Sequence, residues 1–226
     1  MASTMRVQTR SGNRALIITT LAVPLTGWTM HAVSLHRKLA AARKDPLTGL
    51  LGRDGFTTRA RQITDRYGDA ALVGIVDLDH FKAINDGPGG HAAGDRVLAA
   101  TAARLTAWAG SRGAVGRIGG DEFAVAVRIG PARRELRLAQ LVQLLAQPVE
   151  VEDGVLVDVA ASIGAASPGV LGTTDLSVLQ RAADAAMYEG KHTGRAVLAG
   201  PQHVTVPSIN GRRAGRPGTH TLGRAA

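Results

Sequence analysis

The apolar positions fall into two regimes along this chain. From Ala15 to Leu35 they run together with no Asp, Glu, Lys or Arg among them. From residue 45 to residue 200 they recur in short blocks separated by glycine and polar turns. Phe56–Tyr67 and the Ala/Leu-rich stretch 92–109 read as helices. Between them, 71–78 is a short, nearly unbroken apolar run, as expected of a strand buried on both faces. Two further strands are predicted over 114–118 and 122–129, around Gly119-Gly120, a pair suited to a tight hairpin. Residues 131–147 have helical periodicity, with Pro131 where a first turn accepts proline. A strand over 154–164, a helix over 175–191 and a last short strand over 196–198 complete the pattern. Strands alternating with helices predict a layered α/β domain with helices packed on a central sheet.

Charge divides the chain differently. The net charge is +9, which on its own suggests a nucleic-acid partner. Residues 1–44, however, hold seven basic side chains and no acid, and residues 201–226 hold four arginines and no acid. The stretch 45–200 is slightly acidic, with 16 Lys and Arg against 18 Asp and Glu. A nucleic-acid-binding domain carries its basic stripe on the folded face, so no nucleic-acid partner is expected. The absence of cysteine excludes a disulfide framework, thiolate catalysis and cysteine–zinc sites. Three readings suit the apolar segment: a signal peptide, a soluble or interfacial helix, and a membrane anchor. Its 21 residues match the span of about 20 that a bilayer needs, and basic flanks favour a membrane surface, so the anchor is preferred. The organisation expected is a basic N-terminal segment over 1–14, a candidate membrane helix over 15–35, a short linker helix over 36–44, a domain over 45–200 and a disordered basic tail over 201–226.

Three constellations carry chemistry. Asp77-Leu78-Asp79-His80-Phe81-Lys82 ends an apolar strand in two carboxylates at i and i+2, positions that share a strand face. Such carboxylates suit Mg²⁺, which takes one or two of them plus phosphate oxygens; a solvated strand end is the plainer reading. Arg117-Ile118-Gly119-Gly120-Asp121-Glu122-Phe123 places two acids directly after a glycine hairpin, where turn chemistry alone is the competing explanation. If the two strands are neighbours, Asp77 and Asp121 or Glu122 converge. Lys191 to Arg195 ends the last helix with cations that either answer the helix dipole or bind phosphate. A polar run from Asn85 to Asp95 supplies groups able to read a guanine edge, with a turn followed by a helix N-terminus as the plainer reading. These features describe nucleotidyl transfer in general and no particular product.

Taken in order, DPLTGLLGRDGF (45–56), DLDHFKAIND (77–86), GHAAGD (90–95), RIGGDEF (117–123), SIGAA (162–166) and ADAAMYEGKHTGR (183–195) resemble the GGDEF diguanylate cyclases. Six motifs in one order are a specific signal where each alone is weak. The resemblance implies a central, mostly antiparallel sheet flanked by helices, similar to the palm of nucleotidyl cyclases and polymerases. It implies condensation of two GTP molecules into cyclic di-GMP by a homodimer using Mg²⁺ or Mn²⁺. Asp77, Asp121 and the Leu78 carbonyl are implied as metal ligands, and Glu122 as the second essential acid. Gly119 and Gly120 would lie against GTP. His80 and Phe81 would offer backbone N–H groups to phosphate, with Lys82, Lys191 and Arg195 as phosphate contacts. Asn85 and Asp95 would read the guanine. A need for GTP places the domain on the cytoplasmic side of any membrane the chain is anchored to. The alternative is a degenerate module that binds GTP or a partner without turnover.

Three departures from the family pattern stand out. Gly52-Arg53 replaces the usual Asn-Arg, and looser local support is expected there. The stretch Asn85 to His91 is one residue longer than usual, between the two guanine readers, which puts base affinity in question. The inhibitory RxxD motif is missing: Gly110 and Gly113 stand at its Arg and Asp positions, so no inhibitory product site is expected.

Overall fold

The computed structural model describes residues 44–205 except 192 and 194, together with Trp28 and His31. The candidate anchor over 15–35 and the linker over 36–44 lie almost wholly outside the described residues, as does the chain beyond residue 205. Among the described residues no helix is long and apolar enough to cross a membrane.

The elements in chain order are α1 (Arg53–Tyr67), β1 (Ala71–Leu78), α2 (Phe81–Asp86), α3 (Gly90–Ala109), β2 (Ala114–Arg117), β3 (Glu122–Arg128), α4 (Arg134–Leu145), β4 (Val149–Glu152), β5 (Val155–Val157), β6 (Ala161–Ala166), α5 (Pro168–Leu171), α6 (Leu176–Glu189) and β7 (Ala196–Leu198). Five strands form one sheet in the order β2-β3-β1-β6-β7. All its pairings are antiparallel except β6 with β7. This is the expected mixed fold, a mostly antiparallel sheet flanked by helices.

Strand alternation divides the core in two. Leu72, Val76, Leu78, Phe123, Val125 and Ile163 face α3 and α4, where Val97, Leu105, Leu141 and Leu145 cover them. Val73, Ile75, Ala124, Ala126 and Ala166 face α1 and α6 and pack on Phe56, Ile63, Leu179, Ala183 and Met187. On the second face the strands contribute mostly small side chains, among them Ala124, Ala126 and Ala166. At Gly164 a Cβ would overlap the Ala183 carbonyl and the Met187 amide, so the α6 backbone rests directly on β6. By the same alternation, Asp77 on β1 and Glu122 on β3 belong to the α1/α6 face.

Three details depart from the sequence expectation. The strand over 154–164 is two: Val155–Val157 pairs with Val149–Glu152 in a separate hairpin, and only 161–166 joins the sheet. Asp158 interrupts the apolar run between them. Residues 81–86 form a short helix, to which the sequence pattern assigns no element. Pro201–Val204, assigned to the tail, forms a 3-10 turn with a buried His203.

Candidate active site

The site grows from the register of two central strands. Asp77, near the end of β1, lies directly opposite Glu122, the first residue of β3, and opposite Ser162 on its other flank. Asp121 precedes Glu122, and its carbonyl accepts from the Leu78 amide at 3.2 Å. Carboxylates from two segments far apart in sequence thereby come near one another at this end of the sheet, close enough for Asp121 to act electrostatically on both Asp77 and Glu122. Asp79 does not join them: its Oδ1 accepts from the Ser162 hydroxyl at 2.8 Å and its amide donates to Ala160.

The hairpin leading into β3 is braced from below. Ile118 and Gly119 amides donate to the Glu122 carbonyl at 2.9 and 3.2 Å. Arg117 donates to the Gly120 carbonyl through Nε at 3.0 Å and Nη2 at 2.7 Å, and through Nη1 to both Asp45 carboxylate oxygens at 3.2 Å. Asp45 in turn accepts from the Thr48 amide and hydroxyl. Burial opposes ionisation of Asp45, but the Thr48 bonds and the Arg117 charge outweigh it and hold the carboxyl below its ordinary range. Arg53 donates to the Ile118 carbonyl, and the Gly52 carbonyl accepts from Phe56. Arg53 thus ties the start of α1 to the hairpin, while Gly52 caps that helix without a side-chain bond.

Lys191, just past the end of α6, donates from Nζ to Asp77 Oδ1 at 2.8 Å. Burial raises the pKa of Asp77, with Asp121 and Asp79 adding to the effect, and Lys191 offsets only part of the rise. Lys191 itself is pushed up: burial works against its charge, but Asp77, Asp79 and Asp121 win. Glu122 is raised by burial first, then by the negative charges of Asp77, Asp121 and Asp184, against Arg53. Asp184 is a buried carboxylate of α6 on this same face that the sequence reading did not single out.

Acids opposed only in part by Lys191 and Arg53 suit a divalent cation. Among the described residues no three His, Asp or Glu side chains converge tightly enough to chelate an ion by themselves. Mg²⁺ needs only one or two carboxylates when phosphate oxygens complete its shell, and hard oxygen donors with mutual repulsion are the right chemistry for it. Asp77 and Asp121, with Glu122 beside them, are the residues that would hold such an ion.

The remaining predicted residues are distributed around this centre. His80 takes a left-handed conformation (φ 56°) at the entry to α2, and its carbonyl accepts from Ala83. Phe81 is half-buried and Lys82 exposed on α2. Asn85 packs against α3 so closely that a Cβ on Gly94 would overlap its Oδ1, one residue from the exposed Asp95. The 85–91 stretch contains a turn in which the Gly90 amide donates to the Gly87 carbonyl at 3.0 Å. The Glu122 carboxylate lies where a side chain on Gly119 would be. Gly120 is exposed at the hairpin tip. Arg195 is not brought to the acids: it is exposed and lines a groove with Glu135, Leu138 and Val142 of α4.

Fold and site together define a nucleotide-handling palm-like domain. The family model described as diguanylate cyclase, GGDEF domain, matches residues 42–197, and the chain belongs to that family. The chain is 47% identical over 173 residues to a 19.3 kDa protein of Streptomyces ambofaciens, covering 76% of this chain and 91% of that protein. It is 36% identical over 159 residues to the diguanylate cyclase DgcN of Escherichia coli, covering 68% of this chain but 38% of DgcN. The isolated GGDEF domain of TpbB from Pseudomonas aeruginosa superposes with a TM-score of 0.62 at 33% identity, covering 71% of this chain and 96% of that one. The chain thus spans well under half the length of the curated diguanylate cyclases it matches.

Proposed function

We propose that this chain condenses two GTP molecules into cyclic di-GMP, with two copies of the domain facing each other and one GTP held by each. The observation that carries the reading is the Asp77–Glu122 cross-strand pair with Lys191 lying on Asp77. Each 3′-hydroxyl attacks the α-phosphorus of the opposite GTP, the bond to the β-phosphate oxygen breaks, and pyrophosphate leaves. Mg²⁺ or Mn²⁺, held by Asp77, the Leu78 carbonyl and Asp121, would neutralise charge developing on the phosphoryl oxygens. Glu122, its carboxylate made more basic by burial and by its acidic neighbours, either joins the metal ligands or takes the proton of the attacking hydroxyl. Lys191 exchanges its bond to Asp77 for phosphate oxygens. Lys82 and the His80 and Phe81 amides are assigned to the phosphates, Asn85 and Asp95 to the guanine, and Gly119 and Gly120 to the floor beneath GTP; Arg195, which lines a groove with α4, is given no part. An anchor over 15–35 with the domain in the cytoplasm suits this reading and raises the local concentration of domains.

The lengthened 85–91 loop is the observation that favours the second reading, a module that binds GTP or a partner without turnover. One experiment separates the two. The full chain is incubated with GTP and Mg²⁺, with and without excess chelator, beside Glu122→Gln, and the products are resolved by chromatography. Cyclic di-GMP from the parent, lost with chelator and in the variant, is expected, with a rate rising more than linearly with protein concentration. GTP binding without product at any concentration refutes turnover.

A further inference from the structure

The strand after Lys191 is followed by a segment beyond the family match that returns to the end of α6. His203 is buried there at 3% exposure, and both its ring nitrogens are engaged. Nδ1 accepts from the Gly200 amide at 3.0 Å, and Nε2 bonds a Glu189 carboxylate oxygen at 2.8 Å. Glu189 is the last residue of α6, and Gly200 lies two residues past β7. One imidazole therefore joins the two ends of the loop that holds Lys191. Within the loop the Lys191 amide donates to Tyr188 at 3.2 Å and the Thr193 amide to Gly190 at 2.9 Å. The far end is pinned where Ala199 donates to Ala165 of β6 at 2.7 Å.

We infer that His203 is a positioning residue: a clasp that fixes the 189–200 loop and thereby holds Lys191 over Asp77. The role given to Lys191 rests on the proposed cyclase reading, whereas the clasp itself does not. Glu189 is largely exposed, with its side chain at 64%, so a carboxylate with free access to water is instead held against a buried ring. Glu189 is not needed to fill the core, so its bond to the ring ties the segment to the end of α6 rather than packing it.

The test uses the full chain and His203→Phe, which keeps the ring's bulk and removes both bonds, with His203→Gln restoring one donor and one acceptor. Hydrogen exchange of amides 190–200 is read first, because it is independent of turnover; exchange roughly tenfold faster in His203→Phe is expected from the loss of two bonds. In turnover, the KM for GTP is expected to rise roughly fivefold with kcat changed less than twofold, and His203→Gln to recover part of it. Introduced into Lys191→Ala, the same substitution should leave KM unmoved, because the group it positions is gone. Unchanged exchange overturns the clasp. Faster exchange with unchanged KM, or an equal KM penalty in the Lys191→Ala background, overturns its action through Lys191 while leaving cyclase activity itself intact. A chain that makes no cyclic di-GMP would refute the cyclase reading and, with it, the role through Lys191, leaving the exchange result to decide the clasp.

Discussion

Replacing Arg117 with methionine removes the brace beneath the glycine hairpin at nearly constant side-chain length. The guanidinium makes two bonds to the Gly120 carbonyl and two to Asp45, and the two side chains are only 15% and 18% exposed. Gly120 is exposed, so water replaces its lost donors and that half costs little. Asp45 keeps its Thr48 bonds but loses its countercharge in a mostly covered position. A charge-assisted pair of this kind contributes about 2 kcal/mol, which for a domain of this size lowers Tm by about 4–8 °C. The pH dependence follows from Asp45, whose carboxyl sits below its ordinary value when folded. Its stabilisation is present above the unfolded value of about 3.9 and is lost as pH falls through the lower folded value. The gap between parent and variant, measured by urea unfolding followed by circular dichroism, should therefore be full at pH 7 and shrink below about pH 4. A gap under about 0.5 kcal/mol at pH 7, too small for a charge-assisted pair, or one that grows on acidification, refutes the reasoning.

Other outcomes follow from close approaches in the structure. Gly164→Ala sets a methyl group against the α6 backbone and should cost about 3 kcal/mol in the same unfolding assay; a loss below about 1 kcal/mol would show that α6 can step back. Gly94→Ala displaces the Asn85 amide yet improves helix propensity by up to about 1 kcal/mol. It should therefore weaken GTP binding in calorimetry with Tm unchanged or raised; unchanged affinity would remove Asn85 from the guanine site. Cyclic di-GMP added to the turnover assay should not inhibit through the missing RxxD site, since Gly110 and Gly113 supply no side chains to hold it; inhibition abolished by substitutions at these two positions would overturn that.

Local pattern revealed the frame of the molecule and missed its cross-ties. The apolar run 71–78 announced the central strand, and the acids at its end announced that carboxylates would meet those after the hairpin. The six residues of α2 were hidden because they mix Lys82, Asn85 and Asp86 with few buried positions, leaving no periodicity to read. In 155–163 apolar residues on either side of Asp158 gave one continuous signal for two strands of different sheets. The contacts Asp45–Arg117 and Asp77–Lys191 join residues 72 and 114 positions apart, and no spacing rule links such pairs. Lys191 was read as a phosphate cation, and its bond to Asp77 became visible only once α6 was seated on Gly164. Asp184 sits in an alanine-rich helix, where the sequence gives no sign that it lies near Glu122.

The opposition of Asp77 and Glu122 in antiparallel strands has a consequence for how this chain tolerates changes in length. Side chains alternate across a sheet, so one residue added within β3 turns either Glu122 or the whole apolar set of the strand to the wrong side. The far ends of the same two strands, around Gly130 and before Ala71, carry no such constraint. An insertion scan across the domain should consequently give a polarised map, with single-residue additions accepted at one end of the sheet and eliminated at the other. Two-residue additions within β3, which restore the alternation, should be less damaging than one.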